Sequence, residues 1–266
     1  FLKDLLDKLG INIQLIRHGK YKSAGEMFIR STSSKENLEQ NKAMINSVWA
    51  SWAGKIAESR GITFDQFNAL INDLKLNFAE DFLNNGLVDE LVTRDQMEEK
   101  LASLYLAEKF SQVKVIPFAG YAKAKFSNDY KKKNKVAIIY ADGDIVDGKA
   151  KQQVAGDRFA EIIAKVRQDT TVKAVVLRVN SPGGSVLASS KIKTELDLLR
   201  ESVPVIASYG NYAASGGYWI SANTDKIFSN ATTLTGSIGV FSMIPDISGA
   251  LKNKLHVNIT TVNSND

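Results

Sequence analysis

The apolar pattern predicts an α/β protein with a largely parallel sheet, interrupted by a mostly helical segment. Three observations predict it. From residue 136 on, short apolar runs alternate with stretches of helical periodicity. Residues 33–112 instead carry Ser and Thr caps, each ahead of an amphipathic stretch. Finally, Leu9–Ile16 resembles Leu255–Val262, each after a helix-like segment. The chain thus reads as the end of one α/β repeat (1–32), a helical segment (33–112), a linker (113–135) and most of a second repeat (136–266).

In the first segment, Leu2, Leu5, Leu6 and Leu9 follow helical spacing, and Gly10 stops the helix. Ile11–Ile16 alternates apolar and polar residues as a strand does. A loop of small and basic residues follows, from His18 to Gly25. Ser33 or Ser34 caps a long helix carrying Leu38, Met44, Ile45, Val48, Trp49 and Trp52. Thr63 caps the next, and Thr93 opens a third. Their Trp and Phe stripe reads as core rather than as a cofactor box.

In the second repeat, Val136–Tyr140 is a continuous apolar run, as expected of a strand buried on both faces. Phe159, Ile162, Ile163 and Val166 mark a helix, and Val172–Val179 a second strand. That strand runs into Asn180-Ser181-Pro182-Gly183-Gly184-Ser185, and a helix continues to about Arg200. Val203–Ser208 then leads into Ala213-Ala214-Ser215-Gly216-Gly217-Tyr218.

Composition sets bounds on function. Hydrophobic content of 44% and charged content of 24% are those of an ordinary globular chain. No apolar run is long enough to span a bilayer, and the first residues do not read as a signal peptide. The absence of Cys excludes thiolate chemistry and fits an oxidising compartment. Net charge is +5, much of it in Lys131-Lys132-Lys133-Asn134-Lys135. That run reads as a solvated linker rather than a nucleic-acid patch, with anionic lipid as a third reading.

The chemistry centres on Ser215, set among small residues where a strand turns into a helix, a placement that suits a nucleophile. The Gly183-Gly184 turn can present backbone N–H groups to an oxyanion; it can equally bind phosphate or be a plain turn. A nucleophilic Ser needs a base, and only two His exist. His256 sits in an expected strand and reads as structural, while His18 lies in an exposed loop. Lys22, flanked by Tyr21, Ser23 and Ala24 and followed by Met27 and Phe28, stands where a Lys could be buried and its pKa depressed.

Tyr21-Lys22-Ser23-Ala24, the 180–185 and 213–218 segments, and Thr235-Gly236-Ser237-Ile238-Gly239-Val240 together resemble the signal peptide peptidase A (protease IV) family. The match is to its long two-repeat bacterial form, among Ser–Lys peptidases of the ClpP/crotonase superfamily. The resemblance implies Ser215 as nucleophile, Lys22 as general base, Gly183 and Gly184 in the oxyanion hole with backbone near Ser215, and Ser237 orienting the amine. It implies a bowl-shaped homotetramer in which neighbouring subunits supply Lys and Ser. It also implies cleavage of remnant signal peptides at the periplasmic side of the bacterial inner membrane. A membrane anchor would precede the part of the first repeat seen here. No cofactor, metal or nucleic acid is expected. A ClpP-like Ser–His site would need a His soon after Ser215, and 225–240 has none. A crotonase-like acyl-CoA enzyme and a non-catalytic scaffold are the other readings.

Overall fold

The computed structural model describes residues 1–125 and 133–264; Lys131 and Lys132 of the basic run lie outside the described residues. Two compact units divide the chain: Phe1–Val48 with Asn134–Asp266, and Trp49–Lys133.

The first unit opens with α1 (Lys3–Leu9), β1 (Asn12–Arg17) and the short α2 (Glu26–Ile29). Gly10 ends α1 in the left-handed region, φ 77°, where its missing Cβ removes the steric penalty. The long α3 (Lys35–Arg60) runs across the boundary between the units. Ser34, not Ser33, caps it, its Oγ accepting from Asn37 N at 3.1 Å.

The second unit continues with α4 (Phe64–Asn72), α5 (Ala79–Asn84), α6 (Arg94–Leu104), a 3₁₀ turn at Phe110–Gln112 and α7 (Phe118–Lys125). Thr63 and Gln66 form a reciprocal capping box that starts α4. Its small core gathers Ala53, Ala57, Phe67 and Leu87, with Trp49 stacked on Phe67 at 5.9 Å. The Trp49 indole N–H is satisfied by Asn68 Oδ1.

The α/β part of the first unit comprises β2 (Lys135–Asp142), β3 (Ile145–Val146), β4 (Val154–Ala155), α8 (Gly156–Gln168), β5 (Val172–Ser181), α9 (Val186–Arg200), β6 (Val205–Ala214), α10 (Gly216–Ser221), β7 (Lys226–Phe228), β8 (Leu234–Gly236), β9 (Phe241–Asp246) and α11 (Ser248–Lys254). The central sheet has the order β2-β5-β6-β7, with β8 also on β6, and every pairing is parallel. Leu177 from β5 and Ile192 and Leu199 from α9 are fully buried in its core. Each such side chain contributes about 1.5–3 kcal/mol over the exposed state.

The structure corrects two expectations. The 136–140 run is covered on one face only: Ile139 is buried, whereas Val136, Ile138 and Tyr140 are 62%, 53% and 65% exposed. The helices pack on one side of the sheet, so an unbroken apolar sequence conceals a strand with two different faces. His256 is not in a strand either. It follows α11 at φ 55°, and 256–264 has no strand partner among the described residues, so its alternating pattern is not paired into a ladder.

A separate two-stranded ribbon joins the ends of the unit. β1 pairs antiparallel with β9, from Asn12 opposite Asp246 to Arg17 opposite Phe241. Residues 1–32 and 136–266 thus meet in one compact unit.

Candidate active site

Ser215 stands just beyond β6, where that strand is paired on both sides near its end, Ala213 with Ser181 of β5 and Ala214 with Gly236 of β8. Its backbone is at φ 52°, ψ −119°, a conformation costing about 1–3 kcal/mol for a residue with a Cβ. Two bonds hold it there: Ser215 N donates to Gly236 O at 2.8 Å, and Trp219 N donates to Ser215 O at 2.9 Å. A Cβ on Gly216 would lie 2.6 Å from Ser189 Oγ, so only glycine lets α10 start this close to α9. Asn180 stitches the neighbouring bulge. Its Oδ1 accepts from Asn211 N and Tyr212 N, and its Nδ2 donates to Asp142 Oδ1 at 2.7 Å.

Lys22 arrives from the opposite direction. Beyond β1 the chain stays against the β9 side through His18 N donating to Val240 O, then turns back through Lys22 N donating to Gly19 O. The Lys22 side chain, 5% exposed, ends 3.2 Å from Ser215 Oγ, 2.9 Å from Ser237 Oγ and 2.8 Å from Ser237 O. Burial pushes its amine below the usual lysine pKa, because desolvation penalises the ammonium.

All three contacts are to oxygens that Lys22 Nζ can donate to, so they fit an ammonium as well as a neutral amine. Ser237 O can only accept, and Ser237 Oγ can accept the second N–H. In the neutral form, with its two N–H groups on Ser237, the amine would turn its lone pair toward the Ser215 hydroxyl 3.2 Å away. Ser237 itself sits at φ 51°, turning carbonyl and hydroxyl toward the same amine.

Beside the pair lies a cavity of about 300 Å³ walled largely by Val186, Trp219, Ile238, Val240 and Phe241. Gly184 and Gly216 also line it. Gly183 does not. Its N–H donates to Ser181 Oγ at 3.2 Å, and a Cβ there would lie 2.6 Å from Gly216 N. Among the described residues neither the Gly184 nor the Gly216 N–H has an acceptor. Of the two glycines expected as donors, Gly184 faces the cavity together with Gly216, and Gly183 packs behind the turn.

The two halves of the Lys–Ser pair come from one chain. The expectation that neighbouring subunits supply them is corrected, because the β1–β9 ribbon carries the Lys22 loop to the Ser215 turn of the same chain. His18 and His256 are exposed, and neither lines the cavity. Sequence reasoning names Gly216 only as backbone near Ser215, and it includes 238–240 in a motif without identifying them as a cavity wall. The apolar residues directly after Ser237 were the available signal. Among the described residues no group of three or more His, Cys, Asp or Glu could hold a metal ion, and no helix is long and apolar enough to cross a membrane.

Fold and side chains together define a class: α/β proteins with a strained serine at the C-terminal edge of a parallel sheet and a buried lysine amine beside it, an arrangement compatible with serine nucleophilic catalysis. The profile of peptidase family S49 matches residues 1–108 and 197–266, and the chain belongs to that family. Protease 4 of Haemophilus influenzae is 37% identical over 95% of this chain and 43% of its own length. Protease 4 of Salmonella typhi is 36% identical over 95% of this chain and 42% of its length. The chloroplastic serine protease SPPA of Arabidopsis thaliana is 32% identical over 90% of this chain and 36% of its length. The chain therefore spans less than half the length of each of these relatives. Among solved structures, a mutant of a membrane-bound stomatin-specific protease shares 24% identity over 36% of this chain and 44% of that chain, at a TM-score of 0.28.

Proposed function

We propose that this chain carries the catalytic centre of a serine endopeptidase with Ser215 as nucleophile and Lys22 as general base. The observation that carries the reading is the buried Lys22 amine 3.2 Å from Ser215 Oγ, with Ser237 occupying its N–H groups. Neutral Lys22 takes the hydroxyl proton as Oγ attacks the peptide carbonyl carbon. The carbonyl oxygen becomes an oxyanion, received by the Gly184 and Gly216 N–H groups. Collapse breaks the C–N bond, and the Lys22 ammonium returns its proton to the leaving amine. Water then attacks the acyl-enzyme by the same route, restoring Ser215 and releasing the carboxylate product.

The apolar wall of the cavity supports extended apolar peptides as substrates, and remnant signal peptides are such peptides. Their cleavage at the periplasmic face of the inner membrane, a homotetrameric assembly and a membrane contact outside this chain rest on the family resemblance. The test is acylation by a fluorophosphonate followed by peptide mapping, alongside hydrolysis of a fluorogenic apolar peptide. The expected result is a single adduct on Ser215 and loss of both activities in Lys22→Ala. An adduct elsewhere, or full hydrolysis by Lys22→Ala, would overturn the assignment.

A further inference from the structure

Lys22 lies in a loop, and its amine must be held to a few tenths of an ångström for the contacts above to form. One charge cluster outside the cavity, with its carboxylate buried and its guanidinium half-buried, is tied to that loop. Glu26 is 1% exposed, although it sits in the first turn of the short α2. Its Oε1 accepts from Arg17 Nη1 at 2.8 Å and from Ser34 Oγ at 2.8 Å, and its Oε2 accepts from Ser34 N at 3.2 Å. The same Arg17 Nη1 donates to the carbonyl oxygen of Lys22 at 2.9 Å. Burial pushes the Glu26 carboxyl up, but Arg17 and the Ser34 donors outweigh it and hold it below the usual carboxylate range.

The connections radiate from this pair. Arg17 is the last residue of β1 and lies opposite Phe241, which lines the cavity. Ser34 caps α3, so the carboxylate also fixes where that helix begins. Two further bonds from α3 reach the loop, Gln40 Nε2 to Ser23 Oγ and Glu39 Oε2 from Tyr21 OH. The carbonyl of Lys22 is thus clamped by a guanidinium whose own position is set by a buried carboxylate.

We propose that Arg17 and Glu26 are positioning residues for the Lys22 amine, acting through the Lys22 carbonyl rather than by touching substrate. The inference rests on the Ser215–Lys22 reading above. An ion pair between a buried carboxylate and a part-buried guanidinium is a weak source of net stability, since desolvation offsets its attraction, so a positional role accounts for its presence next to Lys22. Removing Arg17 alone would leave Glu26 buried and unpaired, and the protein could fail to fold. The informative variant is therefore Arg17→Met/Glu26→Gln, which removes both charges, keeps the shape and retains partners for Ser34.

The experiment measures kcat and KM on the apolar peptide, the fluorophosphonate labelling rate and the thermal midpoint. The wild type, Lys22→Ala, Arg17→Lys and the double variant are compared. The double variant is expected to fold with the wild-type midpoint and to lose about 10–100-fold in kcat at unchanged KM, as small displacements of a catalytic group do. Labelling should slow by the same factor, and Arg17→Lys, which can still donate to both oxygens, should recover part of the loss. Wild-type kcat in the double variant, a loss that follows only the unfolded fraction, or no recovery in Arg17→Lys would overturn the proposal. Full labelling of Lys22→Ala would overturn the dyad reading itself, whereas an inert Lys22→Ala with a fully active double variant would overturn only the positioning role.

Discussion

The two halves of the site are built in opposite ways. Ser215 ends a ten-residue strand in the middle of a parallel sheet, backed by the fully buried Leu177, Ile192 and Leu199. Lys22 hangs from a two-stranded ribbon whose strand β1 has no buried residue, next to a helix α1 that has none either. The serine is placed by close packing, which tolerates little displacement. The lysine is placed by polar contacts: backbone bonds to the β9 side, Arg17 on its carbonyl and Ser237 on its amine. A rigidly packed Ser215 and a tethered Lys22 are therefore expected to fail differently.

The largest effect should ignore that contrast. Ser215→Ala and Lys22→Ala are each expected to reduce kcat by at least about 10⁴-fold, and the double variant by no more than either alone, because residues acting as one unit are not additive. Steady-state kinetics on all three variants checks this. The next effect exposes the contrast. Leu177→Ala should lower stability by about 2–5 kcal/mol in urea titration, whereas Leu15→Ala on the ribbon should cost about 1 kcal/mol. If both cost the same, the ribbon is as firmly packed as the sheet and the comparison fails.

Ser237→Ala removes one acceptor from the amine and leaves the Ser237 carbonyl in place. A loss of about 10–100-fold in kcat is expected, the range of a hydrogen bond to a group that becomes charged. The pH profile sharpens the same point. With Lys22 as the proposed base, activity requires its neutral form, so it should be present above the folded-state pKa and lost as pH falls through it. Burial lowers that pKa, so the acid limb of kcat/KM should lie below the usual lysine range. The unfolded chain binds the proton more tightly, so the Lys22 contribution to stability should rise with pH between its folded and unfolded pKa values. The smallest effect is expected from His18→Ala and His256→Ala, which should leave kcat unchanged and stability within about 0.5 kcal/mol. A large loss from either would bring imidazole back as a candidate base.

Much of the serine half is legible in the sequence, because strand, glycine turn and helix are local patterns and each carries its own periodicity. Lys22 stands out too, through small and apolar neighbours that invite burial. What the sequence does not display is pairing over distance. Nothing near Asn12–Arg17 announces Phe241–Asp246 as its partner, so the union of both halves in one chain was hidden. The difference between Gly183 and Gly184 was hidden as well, since it depends on where Ser181 Oγ points. The open face of β2 was concealed because a half-covered and a fully covered strand can share the same apolar run.

The antiparallel joining of β1 to β9 also sets a schedule. Lys22 and Ser215 are 193 residues apart in the chain, and such distant contacts form only after the closure entropy of a long loop is met. Lys22 precedes Ser215 in the chain, yet both Ser237, which holds its amine, and β9, which carries its ribbon, follow Ser215. Ser215 is therefore made before the strands β8 and β9 that hold its turn and bring Lys22 beside it, and the pair forms only once both have been made.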